Sequence, residues 1–380
     1  MLAILLTGLT VTANAETGWV KKDGNWYYYK ADGTLLTSDW VQSKGKWYYL
    51  GEDGVMYYDG IWEIKDKFYG FDTDGAMAVG WYSRKWTGYR EDETTFVGTT
   101  WYYADKDGAL VSGWKKIGGK WYYFDKIENR VWEDEETGET GTYKSLPEMF
   151  ANRISKIDGK YYGFKGSGEM VVGWGQPWID SPWNIVKDTD WVYANADGSL
   201  AEKWKKIDGK WYYFYEGWPV MASGTTVWFK QANGKYDIYG FNKSGAMVEN
   251  GWLEEKYENG SDWYYLGADG LAKKGWFQDK GKWYYLDPDY AIMWHGGFVT
   301  MSDGKIYYLD KTSGAMKTGW LQDGDNGFYF KDSGAMAVKE WVKSGSAWYY
   351  LKEDGKMAKD EILTIDGKPY RFDANGVWVP

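Results

Sequence analysis

Short aromatic-rich runs recur along the chain in pairs, each pair split by a two-residue turn and followed by a second, glycine-bearing turn. In "GWVKKDGNWYYYK", from Gly18, the split is Asp23-Gly24, the strongest short-range signal for a β-hairpin. The same break returns at Lys44-Gly45, Gly118-Gly119, Asp208-Gly209 and Asp366-Gly367. After the second run, "ADGTLL", "EDGVMY" or "TDGAMA" turns the chain into the next pair, so each repeat is one hairpin plus a connector. Strand alternation sets Trp26 and Tyr28 on one face and Tyr27 and Tyr29 on the other. With both faces aromatic, a lone hairpin is marginal in water and has to be covered by its neighbours. No periodic stretch calls for a long helix; the segment "ETGTYKSLPEMFANRI", from Glu139, is the one place where a short helix is expected.

Taking the first residue of each "WYY"-like triplet as a marker gives Trp26, Trp47, Phe68, Trp101, Trp121, Tyr161, Trp191, Trp211, Ile238, Trp263, Trp283, Ile306, Gly327, Trp348 and Pro369. These fifteen repeats, most about twenty residues apart, predict an all-β fold, a β-hairpin solenoid over residues 16–380 with insertions near 82–100, 125–150 and 175–190. Every third repeat lacks the marker tryptophan. Where the first tryptophan of the hairpin would stand seven residues earlier, four of these have Ile61, Ile154, Val299 and Ile362. A superperiod of three predicts a superhelix with about three hairpins per turn, one face of which differs from the other two. The last unit, "ILTIDGKPYRFDANGVWVP", departs from the others as a capping repeat should.

Composition sharpens this picture. With 28 Trp, 35 Tyr and 50 Gly, the core is expected to be built of rings rather than of Leu, Ile and Val. A formal charge of -10 without a Lys/Arg run argues against nucleic acid or an anionic membrane surface as a partner. Residues 1–15 end in Ala13-Asn14-Ala15, the small-x-small form of a signal-peptidase site, although no basic residues precede the apolar run. This predicts a secreted protein. No later stretch is apolar enough to span a bilayer, and without cysteine the chain is held by packing alone.

Residues seven apart across a two-residue turn lie near each other, so the first tryptophan of a hairpin and its marker can wall a pocket that a tyrosine of the next hairpin closes. The pair is complete in nine of the fifteen repeats. The pattern, as in "GWKKIGGKWYYF" from Gly113 and "GWFQDKGKWYYL" from Gly275, resembles the choline-binding, or cell-wall-binding, repeats of Gram-positive surface proteins and lysins over essentially all of the chain from Gly18. The resemblance implies a left-handed hairpin solenoid with a choline pocket between successive repeats, two aromatics coming from one and a third from the next. Carried over by position, the pockets are Trp19, Trp26 and Tyr48; Trp40, Trp47 and Tyr69; Trp81, Trp101 and Tyr122; Trp114, Trp121 and Tyr162; and Trp174, Trp191 and Tyr212. They continue with Trp204, Trp211 and Tyr239; Trp252, Trp263 and Tyr284; Trp276, Trp283 and Tyr307; and Trp341, Trp348 and Tyr370. The implied partner is choline or phosphocholine on teichoic or lipoteichoic acid, at the cell wall. Related repeats in clostridial toxins and glucosyltransferases bind polysaccharide instead, which leaves two ligand classes open.

At Trp320 the marker is Gly327, so that pocket lacks a wall. Chemistry is poorly served: there is no thiol, the sole histidine, His295, reads as a packing residue, and Asp23, Asp32, Asp53, Asp74 and Asp107 precede turn glycines for backbone reasons. Neither catalysis, a cofactor nor a metal site is expected. The acidic run Glu133 to Glu139 reads as a solvated loop. The insertions carry additional aromatics, Trp86, Tyr89, Trp178 and Trp183, and read either as a second recognition surface or as loops without a role.

Overall fold

A computed structural model describes residues 16–89, 95–134, 137–176 and 190–380. The expected signal segment and the insertion positions Trp178 and Trp183 lie outside them. The chain divides into two compact units, residues 1–200 and 201–380. Each is a succession of antiparallel hairpins. Among the described residues there are fifteen two-stranded sheets and one three-stranded sheet, and no helix.

The turns explain the hairpins. Asp23 and Gly24 both have positive φ, 49° and 85°, and the same holds for Lys44-Gly45, Gly118-Gly119, Asp208-Gly209 and Asp366-Gly367. Two left-handed residues in succession make the type I′ turn, whose twist matches that of the flanking strands. The resulting register pairs Trp19 with Tyr28 and Lys21 with Trp26. Three residues beyond each marker comes the most buried position of the repeat: Leu50, Phe71, Phe124 and Phe164 in the first unit and Phe214, Phe241, Leu266, Leu286, Leu309, Phe330 and Leu351 in the second have no exposed surface. The deepest layer is therefore Phe and Leu, with the tryptophans outside it.

The connector is what joins one hairpin to the next. Met56, in the connector after the second hairpin, donates its N–H to the carbonyl of Trp26 in the first, at 2.9 Å, and Met77 does the same to Trp47 at 2.8 Å. Each such methionine then lies over a glycine of the following connector. At Gly108, φ is +81°, and an added Cβ would stand 2.2 Å from Met77 Sδ, so two constraints exclude any other residue. Gly24 carries only the first, with nothing within 4 Å. Gly24→Ala is expected to cost about 1–2 kcal/mol for the left-handed backbone, and Gly108→Ala about 1–3 kcal/mol more for the overpacked methionine. Urea midpoints of the two variants check this order.

Three sequence expectations change. The segment expected to turn helical forms a strand instead, Thr140–Lys144, paired with Asn129–Glu133 as an additional hairpin inside the 125–150 insertion. β-branched and aromatic side chains on both strands, Val131, Trp132, Thr142 and Tyr143, favour that pairing. The insertion near 82–100 lengthens its hairpin into two ten-residue strands, Gly80–Tyr89 and Thr95–Ala104. In the twelfth repeat a longer turn moves the register by one, so that Phe298, not Val299, faces Tyr308 where the first tryptophan of other repeats would stand.

Candidate binding site between repeats

Residues opposed across a hairpin share a face. Trp19 lies opposite Tyr28 and Trp26 opposite Lys21, so the two indoles sit diagonally on one face, centroids 6.4 Å apart and planes at 88°. The same right-angled pair recurs as Trp81–Trp101 at 6.2 Å, Trp114–Trp121 at 6.3 Å, Trp174–Trp191 at 6.4 Å and Trp204–Trp211 at 6.3 Å. Trp47, Trp263, Trp283 and Trp348 occupy the equivalent register position relative to Trp40, Trp252, Trp276 and Trp341.

The two tyrosines of the triplet have different tasks. The second packs on its own hairpin's tryptophan, as Tyr28 does on Trp19 at 5.2 Å. The first points from the other face to the tryptophan of the preceding hairpin: Tyr48 to Trp19 at 5.1 Å, Tyr69 to Trp40 at 4.9 Å, Tyr122 to Trp81 at 5.0 Å and Tyr162 to Trp114 at 4.7 Å. In the second unit Tyr239, Tyr284, Tyr307 and Tyr370 reach Trp204, Trp252, Trp276 and Trp341 at 4.8–5.0 Å. Tyr212 belongs to the second unit, its expected companions Trp174 and Trp191 to the first. Trp320 meets Tyr349 at 4.8 Å, but its marker is Gly327, so this site has two rings rather than three.

Exposure separates these rings from a core. All nine marker tryptophans of complete pairs are 36–43% exposed, whereas Phe68 at the same position of the third repeat is 7% exposed. Trp19, Trp26 and Tyr48 line a cavity of ≈ 570 Å³, and Trp81, Trp101 and Tyr122 one of ≈ 470 Å³, within the range of small-ligand pockets. A cation already favours the marker rings: the lysine opposite Trp26, Trp211 and Trp348 sits 5.7 Å from the ring centroid. The one carboxylate lining the Trp81 cavity, Glu169, is paired with Lys120. Burial raises the phenols of Tyr69, Tyr122, Tyr239 and Tyr284 above the ordinary tyrosine value. Their contribution to stability is accordingly intact below that ordinary value and is lost as pH rises through the raised ones, an alkaline loss readable by near-UV circular dichroism.

Sequence reasoning missed the fourth wall. Met56 lines the first cavity and Met149 the third repeat-pair's, each delivered by the connector of the following hairpin. Methionine bonds the carbonyl of Trp26, Trp47, Trp101, Trp121, Trp211, Trp263 and Trp283; of the non-tryptophan markers, Phe68, Tyr161 and Ile238 are met by Leu110, Leu200 and Ala272, but Ile306 and Gly327 by Met336 and Met357. The signal was in the "DGxM" connectors, one repeat away from the tryptophan it serves. In the last repeat Trp378 takes that place, 6.1 Å from Trp341 and 6.0 Å from Tyr370. His295 is exposed rather than packed.

These hairpins match two descriptions of known repeats. "Choline-binding repeat" covers residues 338–378, and "putative cell wall binding repeat" covers 17–35, 38–56, 96–110, 112–126, 202–217, 250–272, 274–289 and 318–336. The chain carries repeats of the choline-binding, or cell-wall-binding, family. The third, sixth, ninth and twelfth hairpins, which lack the marker tryptophan, fall outside the matches. Glucosyltransferase-S of Streptococcus mutans is 30% identical over 240 residues, 63% of this chain and 14% of that protein. A putative endo-beta-N-acetylglucosaminidase of Streptococcus pneumoniae is 39% identical over 97 residues, 25% of this chain and 13% of the other. The chain thus spans about a seventh of the length of these relatives. Among solved structures, choline binding protein F from Streptococcus pneumoniae is 25% identical, with 96% of this chain and 98% of that one covered at a TM-score of 0.27.

Proposed function

We propose that this chain is a non-catalytic, secreted surface protein that attaches to the cell wall by holding choline residues of teichoic or lipoteichoic acid in its ring cages. The observation that carries the reading is the repeated right-angled tryptophan pair, partly exposed and closed by a third ring and a methionine. Such a box offers a trimethylammonium group three negative ring faces and asks no hydrogen bond of it. Each contact contributes roughly 0.5–2 kcal/mol, so one cage holds its ligand at about millimolar affinity. Many weak cages facing a repetitive polymer then gain by avidity. No helix of the described residues is long and apolar enough to cross a membrane, and attachment through the repeats needs none.

The glucosyltransferase relatives favour a second reading, in which the rings stack on sugars. A tertiary-amine resin separates the two: retention with elution by free choline supports the first, and indifference to choline with retention on dextran supports the second. The endoglucosaminidase relative adds that these repeats also suit the targeting part of a wall hydrolase. Salt gives a further test. A cage reads no phosphate with Lys or Arg, so retention should fall only modestly between low and physiological salt; a steep, near-linear log–log loss would contradict it.

A further inference from the structure

We propose that the groove beside Trp86 in the first unit is a carbohydrate site, taking a pyranose unit of a glycan chain, distinct from the ring cages and independent of what the cages bind. The groove, ≈ 580 Å³, lies at the third hairpin, where Ile61 and the buried Phe68 replace the tryptophan pair and no cage forms. Three segments build it: Ile61 from that hairpin, Arg84, Lys85, Trp86, Thr100 and Tyr102 from the lengthened hairpin, and Leu146 and Glu148 from the 125–150 insertion.

The insertion is anchored there. Lys144 pairs with Glu63 and, at 3.2 Å, with Asp66 of the third hairpin. The buried Ser145 donates to the carbonyl of Lys126 at 2.8 Å and accepts from the N–H of Glu128 at 3.0 Å, closing the base of the insertion. Glu148 accepts a long hydrogen bond from the Tyr102 hydroxyl at 3.4 Å.

Trp86 is opposed across the strands by Gly98, and a Cβ there would fall 2.3 Å from the indole Cε2. The indole therefore lies across the glycine with one side on backbone. Phe96 braces it edge-on at 5.3 Å, and 47% of its surface stays exposed. Covering a strand glycine is by itself a stabilising device. The lining adds what such a device does not need: a guanidinium fork, an ammonium, a hydroxyl, a phenol and a carboxylate around one open indole, with both charge signs present. Neither a simple cation nor a simple anion uses that mixture. A pyranose does, with its C–H face on the ring and hydroxyls that both donate to Glu148 and accept from Arg84. Trp132, lying across Gly141 in the insertion hairpin in the same way, is not among the residues lining this groove and serves as a control.

The test titrates the whole chain calorimetrically with isomaltotetraose, maltotetraose and chitotetraose, in saturating free choline to occupy any cages. One saturable site for at least one of the three is expected. Trp86→Ala and Arg84→Met should each weaken it at least tenfold, with Trp132→Ala unchanged. Absence of saturable binding to all three in the unmodified protein would overturn the proposal. So would binding retained by Trp86→Ala, or a lowered melting point in Trp86→Ala with wild-type affinity in Arg84→Met, which would leave the indole a purely structural cover.

Discussion

Phe68→Ala is expected to lower stability by about 3 to 5 kcal/mol, the usual range for deleting a buried ring, and to leave the number of choline equivalents bound unchanged. Phe68 stands at the marker position, where other repeats carry a tryptophan, yet it is 7% exposed and packs with Tyr102, Ala104 and Leu110. Packed against the same cluster are Ile61, on Phe68's own hairpin, and Tyr82, on the next, both half-buried and neither a cage partner. Because repeats contact chiefly their neighbours, the loss should be centred on the third and fourth hairpins. Hydrogen exchange resolved by segment locates it, and a denaturant midpoint gives its size. If the variant kept full stability but lost one choline equivalent, Phe68 would be a ligand-facing ring and the exceptional status of every third repeat would be wrong.

Much of this architecture was legible in the chain because its signals are local. A two-residue turn with glycine second dictates positive φ at both positions, and Asp23-Gly24 and its copies deliver it. The alternation of Trp26, Tyr27 and Tyr28 then fixes which rings share a face, and the diagonal tryptophan pair follows from register alone. What was not legible depends on contacts between units of the pattern. Met56 is three turns away from Trp26 in the chain and reaches it through a backbone hydrogen bond that no spacing rule within one hairpin reveals. Phe298 was misplaced because a longer turn shifted a register that had been counted as constant. The 125–150 insertion looked helical in part because its strand partner lies beyond a loop of its own, and cross-strand pairing decided the outcome. Rings do fill much of the deepest layer, as Phe71, Phe124, Phe164, Phe214, Phe241 and Phe330, but the marker tryptophans stay outside it and Leu50, Leu266, Leu286, Leu309 and Leu351 share it.

Trp101→Ala is expected to differ from Phe68→Ala: choline stoichiometry falls by one equivalent while stability falls by about 1–3 kcal/mol, less than for the fully buried ring. The indole is 43% exposed, so less apolar area is lost with it than with a fully buried ring. Its backbone carbonyl, which accepts the Met149 N–H at 2.8 Å, is untouched, and the connector stays tied. What goes is one wall of the box formed with Trp81 at 6.2 Å and Tyr122, leaving two rings and a methionine around the cation. Two rings is the state of the natural site at Trp320, where Gly327 replaces the marker. Removing about 0.5–2 kcal/mol from a contact already near millimolar puts the site beyond its working range. Calorimetric titration with free choline counts the equivalents, and near-UV circular dichroism verifies that the other cages persist. Gly327→Trp is the complementary change; a Cβ there would stand 3.4 Å from Met357 Cε, an ordinary contact. A gain of one equivalent in Gly327→Trp together with a loss of one in Trp101→Ala would assign the choline count to the marker position, whereas an unchanged count in both would place the ligand elsewhere on the repeats.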